Sequence, residues 1–352
     1  MNKLRFALVG CGRISYRHAE LLYNQIPDAE LVAVCDIVKK KAQNYSEKYN
    51  IPFYVDYHEM LHKEKIDVVN ILTESGNHAK HTLEVLDYSK HVIVEKPMAL
   101  KITDADAMIL KAKQKNVKLF VVKQNRYNYP VLKLREAIEE GRFGKLVLGT
   151  VRVRWCREQK YYDEASWRGT WAMDGGVFTN QASHHIDLLE WMMGDVESVS
   201  AKSATRLVNI ETEDTGVAIL RFTNGSLGII EATTATRPKD LEGSISIIGE
   251  KGSVEIAGFA VNEMKTWNFS DERPEDKTVL SEFRQNPPNV YGFGHSEYLK
   301  AVVDSIKNNL PVPVDGHEGR KSLLLINALY ESIETGKEIK IHFQPERSKL
   351  GI

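Results

Sequence analysis

A chain of 352 residues is long enough to bury a sizeable core and supports one to three domains. Its 47 Lys and Arg against 48 Asp and Glu leave a formal charge of -1, a balance that gives no sign of nucleic-acid or anionic-membrane binding. No apolar stretch reaches bilayer length, no signal-peptide pattern opens the chain, and Cys11, Cys35 and Cys156 are too scattered for a metal cluster or disulfide framework, so a reducing cytoplasm is expected.

Leu4–Val9 reads as a strand, followed by Gly10-Cys11-Gly12-Arg13-Ile14-Ser15 and an apolar-periodic helix to about Asn24. The next strand runs from Leu31 to Asp36, which completes the lengths of a dinucleotide-binding unit. Gly10 permits the tight turn, and Gly12 lets the backbone approach a pyrophosphate at the helix N-terminus. Ser15 stands where a third glycine is usual. Asp36, 24 residues after Gly12, is placed to accept both ribose hydroxyls of NAD and to repel the 2′-phosphate of NADP. Ile37 offers that phosphate no donor, whereas Lys39, Lys40 and Lys41 pull the other way.

Helices are expected at 38–48, 56–62, 77–88 and 102–115, with strands near 67–72, 91–95 and 118–122. The strand from His91 ends in Glu95-Lys96-Pro97. Proline halts the ladder and leaves Lys96 at the edge where open parallel sheets bind ligands. A lysine there can donate to a substrate oxygen or, with a lowered pKa, act as a base; the bland alternative is a surface lysine at a turn. Thr73 to Asn77 forms a polar loop at the same edge, with Asn77 expected to cap the next helix. That helix carries His78 and His81, a pair lacking the adjoining carboxylate or cysteine pattern of a metal site. Thr103 or Asp104 can cap the helix after Lys96. This alternation predicts a doubly wound parallel sheet over 1–124.

From 125 to 352 the period changes. A helix over 130–140 precedes strands at 147–155, 196–205, 215–222, 226–234, 243–249, 252–257 and 263–269, with hairpin signals at Asn224-Gly225 and 249–252. These strands predict one large, mostly antiparallel sheet with a helix over 184–193 against it. Residues 271–290 read as a charged surface loop, and helices return at 298–306 and 319–334, the last expected to pack back on the first domain. The densest polar stretch, Tyr161 to Asp187, holds Trp167, Arg168, paired glycines, Asn180, Gln181, His184 and His185; a helix starting near Asn180 would put His184 one turn away on the same face. One of the two histidines can equally be core.

Gly10-Cys11-Gly12, the Asp36 strand end, Glu95-Lys96-Pro97 and Gly175-Gly176 followed by His184 and Asp187 resemble the glucose–fructose oxidoreductase and inositol dehydrogenase family along essentially the whole chain. The runs 122–126, 167–171, 180–184, 210–215 and 241–244 are similar to the bacterial UDP-N-acetyl-2-amino-2-deoxy-D-glucuronate dehydrogenases, which oxidise the sugar 3-hydroxyl during lipopolysaccharide synthesis. The resemblance implies a Rossmann domain, an α+β second domain, a tetramer assembled partly through open sheet faces, and a cis proline at Pro97. It implies NAD beside Gly10, Gly12, Arg13, Ile14, Asp36, Ile37, Thr73, Asn77, His78, Glu95, Lys96, Gln124, Trp167 and Arg168. Lys96 and His184 become the catalytic pair, with Asn125, Arg126, Tyr161, Arg168, Asn180 and Gln181 as substrate ligands and no metal. The family's pattern has aspartate four residues before the histidine, where this chain has Asn180. Some relatives recycle bound NADH with 2-oxoglutarate and others release it. The competing expectations are a neutral sugar or inositol as substrate, and a non-catalytic NAD-binding regulator.

Overall fold

The computed structural model describes residues 2–283, 293–341, 345 and 347–352. The chain forms two compact units: Met1–Val122 with His295–Arg320, and Lys123–Gly294 with Lys321–Ile352.

The first unit opens with β1 (Leu4–Val9), α1 (Arg13–Asn24), β2 (Ala29–Cys35), α2 (Lys39–Tyr49), β3 (Phe53–Tyr54), α3 (Tyr57–Lys63) and β4 (Val68–Ile71). It continues through α4 (His78–Asp87), β5 (His91–Val94), α5 (Ile102–Gln114) and β6 (Leu119–Val121). The strands lie in the order β3-β2-β1-β4-β5-β6, all parallel. Successive residues Phe6 to Val9, and Val92 to Val94, are all buried, as required of strands covered on both faces. The order reverses between β1 and β4, so the loops after β1, β2, β4 and β5 gather at one sheet edge beside a topological switch point. Residues 295–320 close this unit: Val121 donates its N–H to the Val314 carbonyl at 3.0 Å, and Phe120 bridges Asp315.

The second unit contains α6 (Tyr129–Glu139), β7 (Leu146–Arg154), α7 (Gln159–Asp163), α8 (Ser183–Met193), β8 (Val196–Ala204), β9 (Thr215–Phe222) and β10 (Leu227–Thr233). Then come β11 (Glu242–Gly249), β12 (Gly252–Ala257), β13 (Glu263–Phe269), α9 (Asp276–Glu282), α10 (Gly294–Lys307), α11 (Gly316–Thr335) and β14 (Ile339–Lys340), α10 and the first turn of α11 counting with the first unit. Its sheet has the order β13-β12-β11-β7-β10-β9-β8-β14, antiparallel throughout except for the β7–β10 pair. One face meets α8 through Val151, Val153 and Ile245, with Gly149 against Leu189 and Met193. The other face exposes Ile248, Leu227, Ile229, Ile219 and Val217 in adjoining cross-strand rows. Beside them Arg154 pairs with Glu231 at 2.7 Å and with Glu242 at 3.1 Å.

The expected surface loop at 271–290 instead contains α9, fastened by Asp276, whose carboxylate accepts from Arg142 at 2.7 Å and from the Trp267 indole at 2.6 Å. Its stretch 284–290 lies outside the described residues. The strands β3 and β14, two residues each, are too short to display a period, as is the five-residue α7. α10 and α11 begin at Gly294 and Gly316, a turn earlier than the apolar periodicity suggests.

β11 crosses α8 closely because Gly243 has no side chain: a Cβ there would strike the Phe259 carbonyl and lie 3.0 Å from His185 Nε2. Gly243→Ala is therefore expected to lower the unfolding free energy by about 1–3 kcal/mol, as overpacking against fixed backbone does. Urea denaturation of the two proteins checks it.

Candidate active site

The first unit supplies a cofactor cradle. Gly10 has φ +101°, and a Cβ on it would run into the Leu72 carbonyl at 2.6 Å, so only glycine suits the turn. A Cβ on Gly12 would meet nothing within 4 Å, which leaves that backbone open to an approaching pyrophosphate at the start of α1. Asp36 accepts the Cys11 N–H through Oδ2 and the Val38 N–H through Oδ1, both at 2.8 Å, lacing the turn to the end of β2. Ser15 replaces the third glycine with a hydroxyl that donates to the Gly12 carbonyl at 2.6 Å and pairs with Tyr45 at 2.8 Å. Arg13 is exposed and Ile14 half-buried, while Ile37 is 85% exposed, an apolar surface beside Asp36. These residues fit NAD.

Further along the same edge, His78 is buried with Nδ1 2.7 Å from the Pro97 carbonyl and Nε2 3.0 Å from the Thr73 carbonyl. Burial nevertheless pushes its pKa down against those two acceptors. His78 thus ties the β4 loop to the turn that carries Lys96. Asn77 does not cap α4 through its side chain; its amide donates to Glu74 at 3.1 Å. Thr73 Oγ1 bonds His81 Nδ1 at 3.0 Å, so the His78–His81 pair is committed to local bonds. Neither Thr103 nor Asp104 caps α5, which starts after Lys101 without a side-chain bond. Lys96 is half-buried just beyond β5, and the Lys96–Pro97 peptide is cis. Glu95 is buried, with Oε1 3.1 Å from His18 Nε2 and Oε2 accepting the Lys96 N–H at 3.1 Å. His18, Glu95 and His295 place three potential ligand atoms within 4.8 Å of one another.

In the second unit, Lys123 to Arg126 are all buried and turn toward α8. Gln124 Nε2 lies 3.0 Å from His184 Nε2. Arg126 grips Asp187 with two bonds of 2.8 and 2.9 Å, and Lys123 lies 3.4 Å from the same carboxylate while donating to Ser322 at 2.6 Å. Burial alone would raise the Asp187 carboxyl pKa, but Arg126 and Lys123 outweigh it and hold the group below its ordinary value. Arg126, expected to touch substrate, is engaged in this clamp. Asn125 is buried with its side-chain oxygen unpartnered among the described residues.

Asn180 stands in a turn before α8, not on it, and donates to Asp174 at 2.5 Å; Asp174 also accepts the Gly169 N–H at 2.9 Å. A carboxylate is thus present in this loop, six residues before the position of the family pattern and bonded to the Asn180 that occupies it. Gln181 is buried and Trp167 half-buried. The Arg168 guanidinium lies 4.2 Å over the Tyr161 ring and donates to the Tyr161 carbonyl at 2.5 Å and to Glu164 at 2.8 Å. His185 is the core histidine: it meets Trp155 edge-on at 5.8 Å, and burial pushes its pKa down to about 4.

The pattern of the oxidoreductase family with an NAD-binding Rossmann fold matches residues 4–123, and that of the family's C-terminal alpha/beta domain matches 135–341. The chain belongs to the Gfo/Idh/MocA oxidoreductase family. The WlbA dehydrogenase of Bordetella pertussis, crystallised with NADH and UDP-GlcNAcA, is 42% identical with a TM-score of 0.92, covering 96% of this chain and 98% of its own. The WlbA enzyme of Chromobacterium violaceum, solved with the same two ligands, is also 42% identical, with a TM-score of 0.91 over 97% and 96%. Myo-inositol 2-dehydrogenase of Thermotoga maritima is 29% identical over 96% of this chain and 98% of that one. The protein is an NAD-dependent sugar dehydrogenase of this family.

For a member of the Gfo/Idh/MocA family, the sequence reading missed four supporting residues: His18, Asp174, Glu213 and His295. His18 and His295 sit in no recognisable motif, whereas Asp174 directly precedes the paired glycines and Glu213 lies within the 210–215 run. A Cβ on Gly176 would collide with the Glu213 carboxylate, which accepts from the Phe178 N–H and from Tyr330 Oη, both at 3.0 Å. Tyr330 Oη in turn accepts the Gly176 N–H at 3.1 Å and pairs with Thr179 at 2.8 Å, so this acid shapes the loop leading to His184. Burial raises its pKa to about 7.

That shift fixes a sign. The folded state favours protonated Glu213, so this group's contribution to stability is complete below about pH 4.5 and is lost as pH rises through about 7. Between about pH 4.5 and 7 the Glu213→Gln protein should lose less unfolding free energy, or gain more, than wild type. Urea midpoints of both proteins across that range measure the difference.

Proposed function

We propose that this protein oxidises the 3-hydroxyl of UDP-N-acetyl-2-amino-2-deoxy-D-glucuronate to the 3-keto sugar, a step in nucleotide-sugar and O-antigen synthesis. The observation that carries the reading is the 42% identity, spread along nearly the whole chain, to two dehydrogenases crystallised with NADH and UDP-GlcNAcA. NAD, when bound, accepts the hydride leaving C3. Lys96, held at its strand tip, donates a hydrogen bond to the 3-oxygen as the carbonyl forms, and His184 takes the hydroxyl proton. Gln124 orients the His184 ring through their mutual bond at 3.0 Å. Trp167, Arg168 and Gln124 are assigned to the cofactor's surroundings. Asn125, Tyr161, Asn180 and Gln181 are assigned to the sugar and diphosphate, with Arg168 facing the uronate carboxylate. Arg126 serves by holding Asp187 and hence α8.

A neutral polyol is the second reading, favoured by the 29% identity to myo-inositol 2-dehydrogenase. A charge-assisted bond to the uronate contributes about 1.5–3 kcal/mol, so kcat/KM for UDP-GlcNAcA should exceed that for UDP-GlcNAc by roughly 10- to 100-fold. Equal turnover of UDP-GlcNAc, or faster oxidation of myo-inositol, would remove the uronate from the account. Lys96→Met should lower kcat by about two to four orders of magnitude while NADH still binds. NADH binding without turnover of any sugar would favour the regulator.

Asn180 gives a sharper test. Its amide donates to Asp174 at 2.5 Å, so Asn180→Asp would set two carboxylates against each other and lose the donor. The expected result is a lower kcat/KM for UDP-GlcNAcA, with a smaller loss for any neutral nucleotide sugar accepted. A faster variant would instead mean that His184 wants a charged partner at that position.

The reading includes a homotetramer in which a second copy covers the exposed Ile219, Ile229 and Leu227 face, flanked by the Arg154–Glu231–Glu242 ion pairs. Ile219→Asp should then lower the mass measured by light scattering, and an unchanged mass would place the contact elsewhere.

A further inference from the structure

The first unit holds a buried group of ionisable side chains to which the reaction above assigns no task. His18 comes from α1, Glu95 from the tip of β5 and His295 from the start of α10; their exposures are 0%, 6% and 0%. Glu95 Oε1 lies 3.1 Å from His18 Nε2 and 3.8 Å from His295 Nε2. The two imidazoles meet edge-on with centroids 5.6 Å apart. His18 Nδ1 is in turn 2.9 Å from the side-chain amide of Asn70, on β4, so that ring is held at both nitrogens. The second carboxylate oxygen of Glu95 accepts the backbone N–H of Lys96 at 3.1 Å.

A carboxylate removed from water needs a compensating partner, because an unpaired buried charge costs several kcal/mol. Burial works to raise the Glu95 pKa, but the two imidazoles win and hold it well below the ordinary range. Glu95 therefore stays ionised, and as an acceptor it bends back onto the amide of the next residue. That bond fixes the peptide between residues 95 and 96 and so the direction in which the Lys96 side chain leaves the strand. The other charged or titratable groups acting on this cluster are Arg17 on α1, which opposes protonation of His295, His78 on α4, whose proton Glu95 favours, and Lys96 itself.

We propose that His18 is a positioning residue for Lys96, acting through the Glu95 carboxylate that it holds in place, with the His295 ring packed beside the pair. The inference rests on the reading of Lys96 as the donor to the reacting oxygen. Two imidazoles and a carboxylate are also a donor set that suits zinc. Metal content therefore separates the two uses of the same three side chains.

The experiment compares Glu95→Ala, Glu95→Gln, His18→Asn and Lys96→Met with wild type. It measures NADH dissociation constants by fluorescence, kcat and KM for UDP-GlcNAcA, thermal midpoints, and bound zinc by elemental analysis. Glu95→Ala frees the Lys96 amide, and a misplaced donor costs about 100-fold in kcat, with KM within about threefold of wild type and NADH affinity falling far less than kcat. Glu95→Gln keeps a carbonyl for the Lys96 N–H and should recover most of that loss, which a purely structural defect would not. His18→Asn should fall between them. Loss of NADH affinity equal to the loss of kcat, or Gln no better than Ala in fully folded protein, overturns the proposal. One equivalent of zinc that disappears with His18→Asn does so as well. Full activity of Lys96→Met would refute the role of Lys96 itself, whereas inactive Lys96→Met beside unimpaired Glu95→Ala refutes only this inference.

Discussion

Asp187 is the constraint on which the second unit's polar centre depends. A carboxylate with 2% exposure is tolerable only because Arg126 closes on it with a planar fork and Lys123 adds a second charge. Removing either partner leaves a charge in a dry interior, so the segment 123–126 and α8 are locked in register. Gln124 lies between the two basic residues in sequence, and that registration brings its amide to His184. The two salt-bridging residues thus act on His184 through the segment that carries Gln124. Burial also depresses the Lys123 pKa, and Asp187 works against that depression.

The first unit solves a related problem with backbone atoms. Loops at the ends of parallel strands carry N–H groups that no ladder satisfies, and here side chains take several of them: Asp36 for Cys11 and Val38, and Glu95 for Lys96. The acids at strand ends are therefore scaffold, whatever ligand their remaining lone pairs take. This is why Asp36 can be read as a ribose acceptor and as a turn-fastener without contradiction, since each carboxylate oxygen has a second lone pair.

Much of this was legible in the residues. The strand–glycine turn–helix–strand–acid order identified the nucleotide fold, because each element has a length and a breaker that few other arrangements share. The long β strands of the second unit showed through alternation and hairpin glycines. Short elements were invisible for a simple reason: β3 and β14, with two residues each, contain less than one full period. Charge misled at 271–290, where Asp276 binds Arg142 and Trp267 in place of solvent. Site residues drawn from far along the chain were the hardest to see. His18 and His295 meet Glu95 only through the fold, and nothing adjacent to either marks the meeting. Asn180 looked helical from spacing, yet its bond to Asp174 belongs to a turn.

Gly176 and Glu213 also constrain how this chain can diverge. The space that a methyl group would need at 176 is filled by the carboxylate at 213, so the two positions cannot be exchanged independently. A lineage that acquires a side chain at 176 must move or shorten the side chain at 213, and in doing so it gives up the acceptor for Tyr330 and the Phe178 amide. Among descendants of such a protein, the two positions should vary as a pair and Tyr330 should follow them.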